Sequence, residues 1–99
     1  MAIYVTSDAH GHVRALDEAL SKISLASDDT LYVLGDMIDR GPDPVGVIKL
    51  ARSLPNAHVL KGNHEQIMLD AIIGQDPLDA ETWDINGGWT TREQLNDME

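Results

Sequence analysis

Three brief apolar runs, Ala2 to Thr6, Thr30 to Leu34 and Ala57 to Leu60, begin 28 and 27 residues apart. Each is rich in valine, isoleucine, leucine or tyrosine, and each breaks at once into Ser-Asp, Gly-Asp or Lys-Gly-Asn. Short apolar runs closed by turn residues read as strands. Between them the spacing turns helical: Val13, Leu16, Leu20 and Ile23 share one face, and Val45, Ile48, Leu50 and Ala51 do so more loosely behind Pro44, a residue suited to a first helical turn. Ile67, Met68, Ala71 and Ile72 predict a third helix closed by Gly74. The reading is therefore α/β, a three-stranded parallel βαβαβα unit with right-handed crossovers, in one domain spanning residues 1–99.

Beyond the third helix the pattern weakens. Residues from Gln75 to Trp83 are acidic and irregular and read as a loop. Thr90-Thr91-Arg92-Glu93 has the spacing of a capping box, with Thr90 opening a helix. The strands are apolar along nearly their whole length, as in sheets covered on both faces. Two or three helices are too few for that, so an exposed sheet face is expected, open to a homo-oligomer or a domain swap.

Composition bounds the function. The net charge of −10, from 17 acids and 7 bases, repels a polyanion and argues against nucleic-acid binding. No apolar stretch approaches the roughly 18–20 residues of a membrane helix. Cysteine is absent and the N-terminus lacks a leader pattern, which fits a cytoplasmic protein without disulfide or thiol chemistry.

In an open parallel sheet, ligands bind beyond the carboxyl ends of the strands. The first strand delivers Asp8-Ala9-His10-Gly11 there, the second Gly35-Asp36-Met37-Ile38-Asp39-Arg40-Gly41, and the third Gly62-Asn63-His64-Glu65. Asp8 and His10 stand two apart, so an extended segment would point both side chains the same way. Asp36 and Asn63 add a carboxylate and an amide oxygen. Oxygen and imidazole donors without thiolate suit manganese, iron or zinc. Any one of these acids alone would read as a turn or helix cap, and Asp39-Arg40 alone as a surface ion pair. All three sets at successive strand ends make those readings improbable together.

These three motifs resemble the N-terminal signatures of the phosphoprotein phosphatases, metal-dependent serine/threonine phosphatases within the calcineurin-like metallophosphoesterases. Trp83 and Asn86-Gly87-Gly88-Trp89-Thr90 resemble the bacterial and phage branch. The resemblance covers essentially the whole chain and implies the N-terminal half of an αββα sandwich. It implies two divalent metal ions, manganese first with iron or zinc as alternatives. Asp8 and His10 would bind the first metal, Asp36 would bridge, and Asn63 would bind the second.

The resemblance further implies that Arg40 clamps a phosphate oxygen, with Asn63 beside it at the substrate. His64 would protonate the leaving alkoxide while Asp39 holds its imidazole, and a water bridging the metals would attack phosphorus directly. The family's downstream half supplies two more histidines for the second metal, another arginine and the second sheet, so the second metal site is incomplete in this chain.

Three functions are compatible with this reading. One is a serine/threonine protein phosphatase acting on a phosphorylated protein or small phosphoester. The second is a dinucleoside polyphosphate hydrolase of the same superfamily, and the third a non-catalytic metal-binding or interaction fragment. Among the remaining candidates, His58 precedes Asn63 by five residues, roughly 16 Å along an extended strand, and reads as an ordinary strand residue. His12 reads as a helix start, and Trp83 and Trp89 as core or lid.

Overall fold

The structure, a computed structural model, describes residues 1–74 and 76–98. The strands and helices alternate as β1 (Ile3–Thr6), α1 (Val13–Ile23), β2 (Thr30–Val33), α2 (Pro44–Ser53), β3 (Ala57–Val59) and α3 (Asn63–Ile73). Two further helices follow, α4 (Pro77–Ile85) and α5 (Trp89–Asp97). The sheet is parallel in the order β1-β2-β3, with Tyr4 opposite Leu31, Thr6 opposite Val33, and Val33 opposite Val59. The three strands and three crossover or closing helices fall where hydrophobic spacing places them, each strand shorter by one residue at one end.

Strand order explains the distribution of the core. Successive right-handed crossovers that step in one direction put their helices on one face of the sheet. Leu31 and Val33 point to that face and pack with Leu16 of α1 and with Val47 and Ala51 of α2. Met37 and Ile38, from the loop after β2, complete the cluster. Alternation sends Ile3, Val5, Tyr32 and His58 to the other face. There Ile3 and Val5 remain 63% and 61% exposed, and the Tyr32 ring lies stacked on His58 at 5.3 Å. An apolar sheet face is therefore bare. His58, as expected, is a strand residue, but it lies mid-strand in the short β3, one residue from its carboxyl end, with its ring on the bare face rather than at the strand end.

The acidic stretch after α3 corrects the sequence reading. Gln75 lies outside the described residues, but Pro77 onward is helix rather than loop. The Asp76 carboxylate accepts a hydrogen bond from the Leu78 N–H at 3.0 Å, and Pro77 takes the first helical turn. That is cap chemistry which the lack of an apolar stripe obscured: Trp83 is the buried residue of α4. The start of α5 also differs. Its N-cap is Gly88 rather than Thr90, so the expected capping box does not form. The Thr90 hydroxyl instead donates to the Gly87 carbonyl at 3.3 Å, and Thr91 turns inward, where it is buried. Among the described residues no helix is long and apolar enough to cross a membrane.

Candidate active site

The loops after β1 and β2 are zipped together beyond the sheet. Asp8 N–H donates to the Gly35 carbonyl (3.3 Å), His10 N–H to that of Asp36 (3.0 Å) and Gly11 N–H to that of Met37 (2.8 Å). The backbone doing this is not extended. Asp8 and His10 have φ of 58° and 41°, so the expectation that strand-like alternation aligns them is wrong. A tight left-handed path brings them together, with Asp8 Oδ1 3.5 Å from His10 Nε2. Aspartate tolerates this region better than most residues.

Asp8, His10 and Asp36 each offer a donor atom, and these atoms lie within 4.8 Å of one another. His10 Nδ1 lies 2.8 Å from the Ile38 carbonyl. That oxygen can only accept, so Nδ1 carries the proton and Nε2 presents its lone pair to the cluster, the tautomer a metal ligand needs. The Ser7 hydroxyl donates to Asp8 Oδ2 at 2.7 Å. With help from His10, it holds the Asp8 carboxyl below the usual carboxylate range, which favours the ionised, ligating form. Two carboxylates this close repel unless a cation lies between them. The donor set thus fits a divalent ion.

The third loop is locked to the second by Glu65. Its buried carboxylate accepts from the backbone N–H groups of Asp36 (2.6 Å), Met37 (2.9 Å) and Gly62 (2.8 Å). The backbones meet so closely that a Cβ at Gly35 would stand 2.2 Å from the Gly62 nitrogen. Gly35 also has a φ of +92°, so both space and conformation demand glycine there. Asn63 consequently opens α3 beside Asp36, with its side chain exposed. The next residue, His64, donates its N–H to Asp36 Oδ1 at 2.8 Å.

His64 and Asp39 form a buried pair, Nδ1 to Oδ2 at 2.8 Å. The His64 ring meets the His10 ring edge-on, centroids 4.5 Å apart, so the pair adjoins the donor cluster. Asp39 and Arg40 both have φ of 72°. Two consecutive left-handed residues, the second without aspartate's tolerance, need outside support of a few kcal/mol. The segment after α4 gives it. Thr91 Oγ1 accepts the Asp39 N–H at 2.9 Å, and the Gly87 carbonyl accepts the Arg40 N–H at 3.0 Å. Arg40 Nε reaches the Asn86 carbonyl at 3.4 Å, so the exposed guanidinium is steadied from one side.

Of the residues singled out from sequence, Asp8, His10 and Asp36 meet as a cluster with the His64–Asp39 pair against it, while Asn63 opens α3 with an exposed side chain and Arg40 follows Asp39 with its Nε toward Asn86. Glu65, Trp83 and Thr91 join it through hydrogen bonds that sequence position does not reveal. Glu65 stood inside a quoted motif, and its position three residues after Gly62 is a capping signal. Trp83 read as core or lid and Thr91 as part of a cap.

Residues 1–97 match the family described as calcineurin-like phosphoesterase. The chain belongs to that family. Its members named as relatives fall into two groups. Over 92 residues the chain is 38% identical to serine/threonine-protein phosphatase 1 of Salmonella typhimurium, covering 91% of this chain and 41% of that protein. Serine/threonine-protein phosphatase 2 of Escherichia coli is 36% identical over 99 residues, covering 98% and 43%. The symmetrical bis(5'-nucleosyl)-tetraphosphatase of Proteus mirabilis is 38% identical over 71 residues, covering 70% and 26%. A solved structure assigned as a diadenosine tetraphosphatase superposes with a TM-score of 0.57 at 29% identity, over 80% of this chain and 40% of that one. This calcineurin-like phosphoesterase chain therefore spans less than half the length of the relatives it matches.

Proposed function

We propose that the chain carries the N-terminal catalytic edge of a divalent-metal-dependent phosphoric ester hydrolase, foremost a serine/threonine protein phosphatase. The observation that carries the reading is the buried Asp39–His64 pair set against the Asp8, His10 and Asp36 cluster. Asp8, His10 and Asp36 would hold one cation, with Asp36 shared and Asn63 toward a second. When bound, two such ions, manganese foremost with iron or zinc as alternatives, would supply Lewis acidity and offset phosphoryl charge.

The protein's own groups do the rest. Arg40 offers a planar guanidinium to phosphate oxygens, with Asn63 near by. His64, oriented by Asp39 through Nδ1–H, holds Nε2 for the leaving alkoxide and, when doubly protonated as imidazolium, delivers the Nε2 proton there and keeps the one on Nδ1. Support for protein phosphatase activity comes from the two phosphatase relatives, which match over 92 and 99 residues. A dinucleoside polyphosphate substrate is the second reading, favoured by the tetraphosphatase relatives and the superposed structure. Turnover of a phosphoserine peptide against a dinucleoside tetraphosphate, each with manganese, separates them. Faster hydrolysis of the peptide supports the first reading, and faster hydrolysis of the tetraphosphate replaces it with the second. No hydrolysis of either, with metal bound, favours a metal-binding fragment.

A further inference from the structure

Asp39 is wholly buried, yet only one of its oxygens faces His64. The other, Oδ1, accepts the indole Nε1–H of Trp83 at 2.9 Å and the hydroxyl of Thr91 at 2.8 Å. Thr91 Oγ1 also accepts the Asp39 N–H at 2.9 Å, closing a ring between backbone, hydroxyl and carboxylate. A buried carboxylate is costly unless donors surround it. Here three side-chain donors converge on it, two from α4 and α5 and one from His64.

From this geometry we infer that Trp83 and Thr91 are positioning residues for His64, acting through Asp39. Their donors fix the carboxylate's rotation. Oδ1 is turned toward Trp83 and Thr91, so Oδ2 has one direction left, toward His64 Nδ1. A carboxylate can only accept, so Nδ1 must carry the proton and Nε2 is left to the site. Remove either donor and Asp39 gains freedom to rotate, and the imidazole loses its reason to favour one tautomer. Indole N–H is a donor and nothing else, so Trp83 cannot satisfy itself by accepting. A packing role alone would be met equally by phenylalanine at 83 or valine at 91.

The inference deepens the reading of His64 as the proton donor and rests on it for its use, but its test involves no turnover. A chain that never hydrolysed a phosphoester could still show the coupling, and an active one could lack it. The test is nitrogen NMR of the metal-free chain labelled in its histidine rings, at alkaline pH where imidazole is neutral, with His64 assigned through a His64→Gln variant. In the unsubstituted chain the two ring nitrogens of His64 are expected far apart in shift, Nδ1 in the protonated range, and both its proton and the Trp83 indole proton should exchange slowly. Trp83→Phe and Thr91→Val should draw the two nitrogen signals toward each other and speed Nδ1–H exchange about tenfold. Thr91→Ser, which keeps the hydroxyl, should restore the original pattern.

Circular dichroism identifies any variant that has lost its fold. If Trp83→Phe has, the Thr91→Val and Thr91→Ser pair decides. If both Trp83→Phe and Thr91→Val have, the unsubstituted chain decides through the Trp83 indole. Folded variants with unchanged His64 signals, or a Trp83 indole proton exchanging as in free tryptophan, would overturn the inference.

Discussion

His64 Nδ1 lies 2.8 Å from Oδ2 of a completely buried Asp39, 25 residues earlier in the chain. The pair joins the loop after β2 to the first turn of α3, and it leaves the other imidazole nitrogen toward the donor cluster. His64→Ala should lower turnover on an alkyl phosphoester by about 10²–10⁴-fold, the usual loss for a general acid. p-Nitrophenyl phosphate, whose leaving group hardly needs a proton, should suffer much less. Equal losses on both substrates would remove His64 from the acid role.

Glu65 holds three backbone N–H groups from two loops. Glu65→Gln keeps the shape but replaces one accepting oxygen with an amide that can only donate. At a buried position this should cost about 1–3 kcal/mol of stability, read as a lower urea midpoint with an unchanged slope. A change within about 0.5 kcal/mol would mean the loops are joined by other contacts.

Asp29 ties the start of β1 to the turn before β2. Its carboxylate accepts from Ala26 N–H and Ala2 N–H, both at 2.8 Å, and these bonds, the Ala26 bond foremost, hold its pKa below the ordinary value of 3.8. A folded pKa depressed below the unfolded one gives stability that is fully present above the unfolded value and lost as pH falls through the folded one. Thermal melts should therefore show the native chain losing its advantage over Asp29→Asn as pH drops below about 4. A constant gap between the two down to pH 2 would assign the effect to something other than ionisation.

The bare sheet face should make the isolated chain sticky. Ile3 and Val5 are exposed beside Tyr32, and contiguous apolar patches beyond a few hundred Å² mark interfaces or aggregation. Val5→Lys should reduce hydrophobic-dye binding and shift light scattering toward the monomer. A dilute monomer that binds no dye before substitution would contradict this.

Much of the fold was legible because it rests on periodicity. Val13, Leu16, Leu20 and Ile23 announce α1, and the 28- and 27-residue strand spacing announces parallel crossovers. The helix α4 was hidden because Trp83 is its buried anchor, too little for a stripe, although Asp76-Pro77 marked its start. The convergence of Asp8, His10 and Asp36 was legible from chain position alone, but for an incorrect reason. Positive φ at Asp8 and His10, rather than strand alternation, brings them together, and nothing in residue type alone shows that. Trp83 and Thr91 could not be placed, because hydrogen bonds spanning 44 and 52 residues to Asp39 depend on how α4 and α5 fold back.

The most direct measurement is manganese titration of the 99-residue chain, followed by paramagnetic resonance. Asp8, His10 and Asp36 make one cluster of ligating groups, whereas among the described residues a second ion is offered shared Asp36 and neutral Asn63, beside an existing dication. One site should bind clearly tighter than any other, and Asp8→Asn should weaken it by at least tenfold. No bound manganese, binding unchanged by Asp8→Asn, or two equally tight sites in a monomer would contradict the metal-centred account.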